Sequence, residues 1–179
     1  LLQAEPTFQV DVVPTLPPAE LQERIGEYDA FIGRSATRVN DELLKRATRL
    51  RVVGRAGVGV DNIAIDTATA MGIAVINAPA GNTIAVAELF YGALIGLLRH
   101  LPHAAHSMRD GRWDRSKLLG SEIKGRTLVI VGVGRIGSEV ATRAHAFGMD
   151  VAGYDPYITD ERFRALRVRR LATLDEAVE

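Results

Sequence analysis

The chain of 179 residues predicts an α/β fold built on parallel sheet, and three observations carry that expectation. Short apolar runs alternate with stretches of helix formers, and strands each followed by a helix pair in parallel, because every crossover returns the chain to the same end of the sheet. Gly132, Gly134 and Gly137 stand between one such run and the helix after it, and Asp155 closes the next run. The composition, 47% hydrophobic and 25% charged, is that of a globular protein with core material for one or two domains.

Residues 7–13 (TFQVDVV) and 29–33 (DAFIG) predict strands, and PPAELQERIG between them predicts a helix opened by Pro17 and Pro18. A helix over DELLKRA, a strand over RLRVVGR, a short helix over DTATAMG and a strand over IAVIN continue the alternation. Asp66 is the expected cap of that short helix and Gly72 its stop. Pro79 and Gly81 in APAGNT then break the pattern, which predicts a domain boundary: 1–78 form one domain and 79–179 the next. Asn82 or Thr83 is placed to cap a long helix running to about His100. The apolar part of that helix, LFYGALIGLL, has ten residues, too few to span a bilayer, and reads as a buried helix. Pro102 opens a second helical piece ending near Gly111, RWDRSKLLGSEIKG is polar and irregular, and residues 127–131 form the next strand.

Lys plus Arg and Asp plus Glu each number 22, so no net field draws the chain to nucleic acid or an anionic membrane, and a small-molecule partner is expected. The absence of cysteine excludes disulfides and thiolate metal sites in this stretch and fits a reducing, cytoplasmic compartment. The chain opens on LLQAEP without Met and stops within a helix-forming stretch, so it reads as a fragment.

The three glycines match G-x-G-x-x-G in the context that gives the motif its mechanism, after a buried strand and at the mouth of the helix RIGSEVATRAHAF. The first permits a tight turn, the second lets a pyrophosphate approach the backbone, and the third lets the helix pack on the strand, as in a Rossmann-type dinucleotide site. N–H groups near Arg135 and Ile136 would face the phosphates with the helix dipole behind them. Asp155 lies 18 positions beyond Gly137, where a carboxylate can accept hydrogen bonds from the adenosine ribose. A 2′-phosphate would meet its like charge, and Pro156 and Tyr157 offer no cation instead, so NAD is expected over NADP. GRAGVGVDN, residues 54–62, holds a second G-x-G in Gly57 and Gly59 but no third glycine and no long helix after it. Two such glycines at the end of a parallel strand can form a nest for a carboxylate, or only a tight turn.

With these residues in view the chain resembles the D-isomer-specific 2-hydroxyacid dehydrogenases. The resemblance covers about residues 28–179 and rests on GRSAT (33–37), VVGRAGVGVDN (52–62), INAPAGNT (76–83), GRWDR (111–115), GRIGSEVATRAHAFGM (134–149) and GYDPY (153–157). It implies a flavodoxin-like substrate domain followed by a partial Rossmann domain for NAD, and a dimer or tetramer joined through the helix from Thr83. It implies that the backbone at Val58 and Gly59 meets the substrate carboxylate and lies against the cofactor, that Arg34 reaches the substrate, and that Arg135, Ile136 and Asp155 hold NAD. The leading activity is oxidation of 3-phosphoglycerate to 3-phosphohydroxypyruvate, the first step of serine biosynthesis. Arg34, Arg55 and Arg115 are the cations expected to meet its phosphate. Hydroxypyruvate or glyoxylate reduction is the nearest alternative, and an NAD-sensing corepressor-like interaction protein is the alternative of another class.

The Arg, Glu and His that such enzymes use for catalysis lie farther along than Glu179, so no catalytic residue is assigned here and the chain alone is expected to be inactive. His100, His103 and His106 recur at a spacing of three, but Pro102 interrupts them and no nearby carboxylate is expected to complete a metal site. His145 is expected on the solvent or packing face of its helix. ERFRALRVRR, residues 161–170, carries five arginines against one glutamate and reads as a solvated face rather than a nucleic-acid site.

Overall fold

Each of the two sheets is parallel, and in each the strands lie side by side in the order in which the chain makes them. The computed structural model describes residues 2–178, which divide into two units between Gly81 and Asn82.

The first unit runs α1 (Pro18–Arg24), β1 (Ala30–Gly33), α2 (Asp41–Arg46), β2 (Val52–Arg55), α3 (Ile65–Ala70) and β3 (Ala74–Asn77). Asn40 caps α2 by accepting the Leu43 N–H at 3.1 Å, with Asp41 and Glu42 in the first turn and Lys45 and Arg46 in the last, the charge order the helix dipole favours. One face of the sheet, Phe31, Val53 and Val75, packs on Leu43, Leu44, Ala47, Ile63 and Ala68. The other face carries the row Ile32, Gly54, Ile76, and its isoleucines are 57% and 58% exposed.

The second unit runs α4 (Thr83–Leu98), α5 (Leu101–Arg109), β4 (Thr127–Val131), α6 (Arg135–Ala146), β5 (Asp150–Tyr154), α7 (Asp160–Ala165), β6 (Arg169–Arg170) and α8 (Asp175–Val178). Its core joins Ile130 and Val151 of the sheet to Val140, Ala141 and Ala144 of α6, Ala87 and Tyr91 of α4, and Phe163 of α7. The Tyr91 hydroxyl donates to the Val140 carbonyl at 2.6 Å, and burial pushes its phenol pKa up.

Several expectations are corrected. Residues 7–13 form no strand: Phe8 and Val12 are exposed, and no described strand takes the segment as a neighbour, so alternation there finds no ladder. Asp66 lies in the first turn of α3, whose N-cap is Ala64. Asn82 occupies the N-cap position of α4 without a side-chain cap bond. That helix is not buried: Leu89 and Leu97 are 72% and 74% exposed, and only one side of it joins the core. Among the described residues no single helix is long and apolar enough to cross a membrane. The arginines of 161–170 are exposed as expected, but their segment also supplies α7, the buried Phe163 and Val168, and the third strand β6.

Candidate functional site

β4 ends at Val131 and the chain turns at once through Gly132, whose φ of +92° lies in the left-handed region where a side chain is strained. Gly134 is the N-cap of α6, and a Cβ there would meet nothing within 4 Å, so open space stands over the helix N-terminus. A Cβ at Gly137 would collide with the Gly132 carbonyl oxygen and stand 3.2 Å from Ile130 Cγ2. The first and third glycines therefore serve the chain's own turn and packing, while the second leaves room for a ligand. Gly153, which the sequence reading passed over, lies beneath the loop: a Cβ there would come within 2.8 Å of Val133 Cγ2 and 3.1 Å of the Ile130 carbonyl oxygen.

Asp155 follows β5 and is 8% exposed. Its Oδ2 accepts the Val133 N–H at 2.9 Å and its Oδ1 accepts the Tyr157 N–H at 2.9 Å. The carboxylate thus ties the glycine loop to the end of β5, and each oxygen keeps a lone pair for a further donor such as a ribose hydroxyl. The first-turn N–H groups of α6, at the exposed Arg135 and half-buried Ile136, have no intrahelical acceptor and sit at the positive end of the helix dipole. In a doubly wound sheet the dinucleotide crevice opens where strand order reverses. The order β4-β5-β6 leaves that edge at β4, where an apolar groove is lined by Phe90, Val131, Gly132, Ile136 and Val140. Open space at Gly134, free helix N–H groups and a buried carboxylate make a set that fits a dinucleotide.

In the first unit the loop after β2 carries the second pair of glycines. The Gly57 carbonyl accepts the Ala78 N–H at 2.9 Å, and the Val58 carbonyl accepts Asn77 Nδ2 at 2.6 Å. The N–H groups of Val58 and Gly59 find no acceptor among the described residues. Asn62 joins this loop to the turn after β1, donating Nδ2 to the Thr37 carbonyl at 2.7 Å, and its Oδ1 is buried without a partner. Both asparagines lie within the quoted motifs, but their roles carried no signal in the sequence, because each acts on residues distant along the chain.

Arg34, exposed, and Arg55, half-buried, lie at the same end of adjacent strands β1 and β2. Arg55 Nη1 donates to the Ala56 carbonyl at 3.3 Å, its guanidinium crosses the Cα of Gly57, and its Nε is buried without a partner. Arg115 belongs to the second unit, exposed in a 3₁₀ turn at Arg115–Leu118. His106 stands 3.5 Å from the Asp110 carboxylate, one turn along the same exposed helix face. Among the described residues no group of three His, Cys, Asp or Glu is disposed to hold a metal ion. His145 Nε2 lies 3.0 Å from the Leu166 carbonyl oxygen, which spends it on joining α6 to the end of α7.

Comparison with known proteins places these features in a family. The model of the D-isomer specific 2-hydroxyacid dehydrogenase catalytic domain matches residues 1–177. The chain is 48% identical over 161 residues to the D-3-phosphoglycerate dehydrogenase of Bacillus subtilis (strain 168), covering 90% of this chain and 30% of that protein. It is 43% identical over 172 residues to that of Methanocaldococcus jannaschii, covering 96% and 33%. It therefore spans about a third of the length of these curated relatives. A solved structure from Thermus thermophilus superposes with a TM-score of 0.83 at 34% identity, over 94% of this chain and 53% of that one. The Aquifex aeolicus D-lactate dehydrogenase complexed with NAD and lactic acid gives 0.79 at 28% identity, over 87% and 46%. A glycine loop tied to a buried acid, a second glycine pair with free amides, and a family match along nearly the whole chain agree: this chain belongs to the D-isomer-specific 2-hydroxyacid dehydrogenases.

Proposed function

We propose that the full-length protein oxidises 3-phosphoglycerate to 3-phosphohydroxypyruvate with NAD, opening serine biosynthesis. The observation that carries the choice of substrate is the identity of 42–48% to relatives named D-3-phosphoglycerate dehydrogenase. In this reading the first unit is part of a substrate domain and the second the N-terminal half of the NAD domain. The loop shaped by Gly132, Gly134 and Gly137 lets the pyrophosphate approach at Gly134 and meet the N–H groups of Arg135 and Ile136, and Val58 lies against the cofactor. Asp155 reads the ribose hydroxyls and repels a 2′-phosphate, which favours NAD. Bound NAD supplies the hydride acceptor. Val58 and Gly59 N–H groups hold the substrate carboxylate, while Arg34, Arg55 and Arg115 meet the phosphate through charge-assisted hydrogen bonds. The exposed apolar side of α4, with Leu89 and Leu97, joins two copies in a dimer, alone or within a tetramer.

The test is NADH formation by purified full-length protein on a panel of D-2-hydroxyacids. Highest kcat/KM on 3-phosphoglycerate is expected; a preference for lactate, or faster reduction of glyoxylate or hydroxypyruvate than of 3-phosphohydroxypyruvate, would reassign the substrate within the family.

A further inference from the structure

Asn77 ends β3, and its side chain is what holds the Val58 carbonyl, while the backbone N–H of Ala78 holds the carbonyl of Gly57. A trans peptide is planar, with its N–H antiparallel to its C=O. Fixing the Gly57 carbonyl therefore directs the Val58 N–H away from the end of β3, and fixing the Val58 carbonyl does the same for the Gly59 N–H. The two planes are not secured alike: a backbone bond holds the first, and a single side-chain amide holds the second. Gly59 has no Cβ to resist rotation of that second plane. Rotated, the plane would present the Val58 oxygen, and not a donor, to an incoming carboxylate.

We infer that Asn77 is a positioning residue, which sets the peptide between Val58 and Gly59 so that the Gly59 N–H meets the substrate carboxylate. This rests on the reading of Val58 and Gly59 as carboxylate donors. It also explains why an amide stands there: a side chain at that position must donate, and the bond of 2.6 Å leaves no room for an acceptor.

The experiment uses full-length protein carrying Asn77→Asp and Asn77→Ala. In Asn77→Asp the introduced carboxyl can donate to the Val58 carbonyl only while protonated and repels it once ionised. The KM for a 2-oxo acid is therefore expected close to wild type at the acid end of the pH range, rising about tenfold or more as that carboxyl ionises. The kcat and the KM for NADH should hold steady. The rise should be equal for phosphorylated and unphosphorylated 2-oxo acids, since the carboxylate is common to both. Calorimetry with oxalate, a carboxylate probe without phosphate, reads the same donors without turnover, and Asn77→Ala should weaken it about tenfold. A flat KM profile in Asn77→Asp, or wild-type oxalate affinity in folded Asn77→Ala, overturns the assignment, as does wild-type protein that does not bind oxalate. Should Asn77→Ala not fold, the pH profile of Asn77→Asp decides alone. Wild-type protein that binds oxalate in an Asn77-dependent way, yet turns over no 2-oxo acid, supports Asn77 and sinks the dehydrogenase reading.

Discussion

Gly134 and Gly137 belong to one motif but answer to different constraints, and substitution separates them. Gly137→Ala presses a methyl group onto the Gly132 backbone, which cannot swing aside, so a loss of about 1–3 kcal/mol in stability is expected by denaturant titration. Gly134→Val touches no protein atom within 4 Å at its Cβ, so the melting temperature should change little while NAD affinity collapses. Retained affinity in that variant would remove the pyrophosphate from this loop. Asp155→Ala should show both kinds of effect. It orphans the N–H of Val133, a residue 1% exposed, at about 1–3 kcal/mol in cofactor-free protein, and it narrows the preference for NAD over NADP. An unchanged cofactor ratio would mean that another residue reads the ribose. For Arg34→Ala, kcat/KM should fall about tenfold or more on 3-phosphoglycerate or 3-phosphohydroxypyruvate and much less on 2-oxoglutarate or glyoxylate. An equal loss on all would place Arg34 on the carboxylate.

The elements differ in how far local sequence determines them. β2, β3, β4 and β5 were legible because each is a short apolar run closed by a glycine, a polar residue or an acid. Residues 7–13 show the converse: alternation supplies a pleat but no partner, and a strand needs both. The second βαβ step of the second unit, from β5 through α7 to β6, was hidden because five arginines mask the two apolar residues, Phe163 and Val168, that bury it. The glycine site could be read since its residues are close in sequence, whereas Asn62 and Asn77 act across 25 and 19 positions, where no local pattern exists. The contact of α4 with α6 has a test of its own. Tyr91→Phe keeps the ring packing and loses one buried hydrogen bond, at about 1 kcal/mol, while Val140 keeps its helical partner. Burial raises the Tyr91 pKa, so its neutral form is the one the fold favours. Stability is thus indifferent to this group below about pH 10 and falls above it as the unfolded chain ionises first. Tyr91→Phe should flatten that alkaline loss in a pH series of thermal melts.

At the scale of the whole chain, apolar side chains stand open on both sheets, Ile32 and Ile76 on the first and Val131 on the second. Residues 1–179 expressed alone are therefore expected to bind a hydrophobic dye and to self-associate in size-exclusion chromatography. The sequential strand order has a kinetic side. Ala30 pairs with Val52 and Val52 with Ala74, 22 positions apart each time, and Thr127 pairs with Asp150 after 23. Every new strand thus meets the one just completed, without waiting for a distant segment, so loop closure entropy is low and nearly the same at each step. Parallel sheets are slow to assemble when their pairings are remote in sequence, and here they are near. In full-length protein, pulsed hydrogen exchange during refolding should find the amides of β1, β2 and β3 protected together in an early phase.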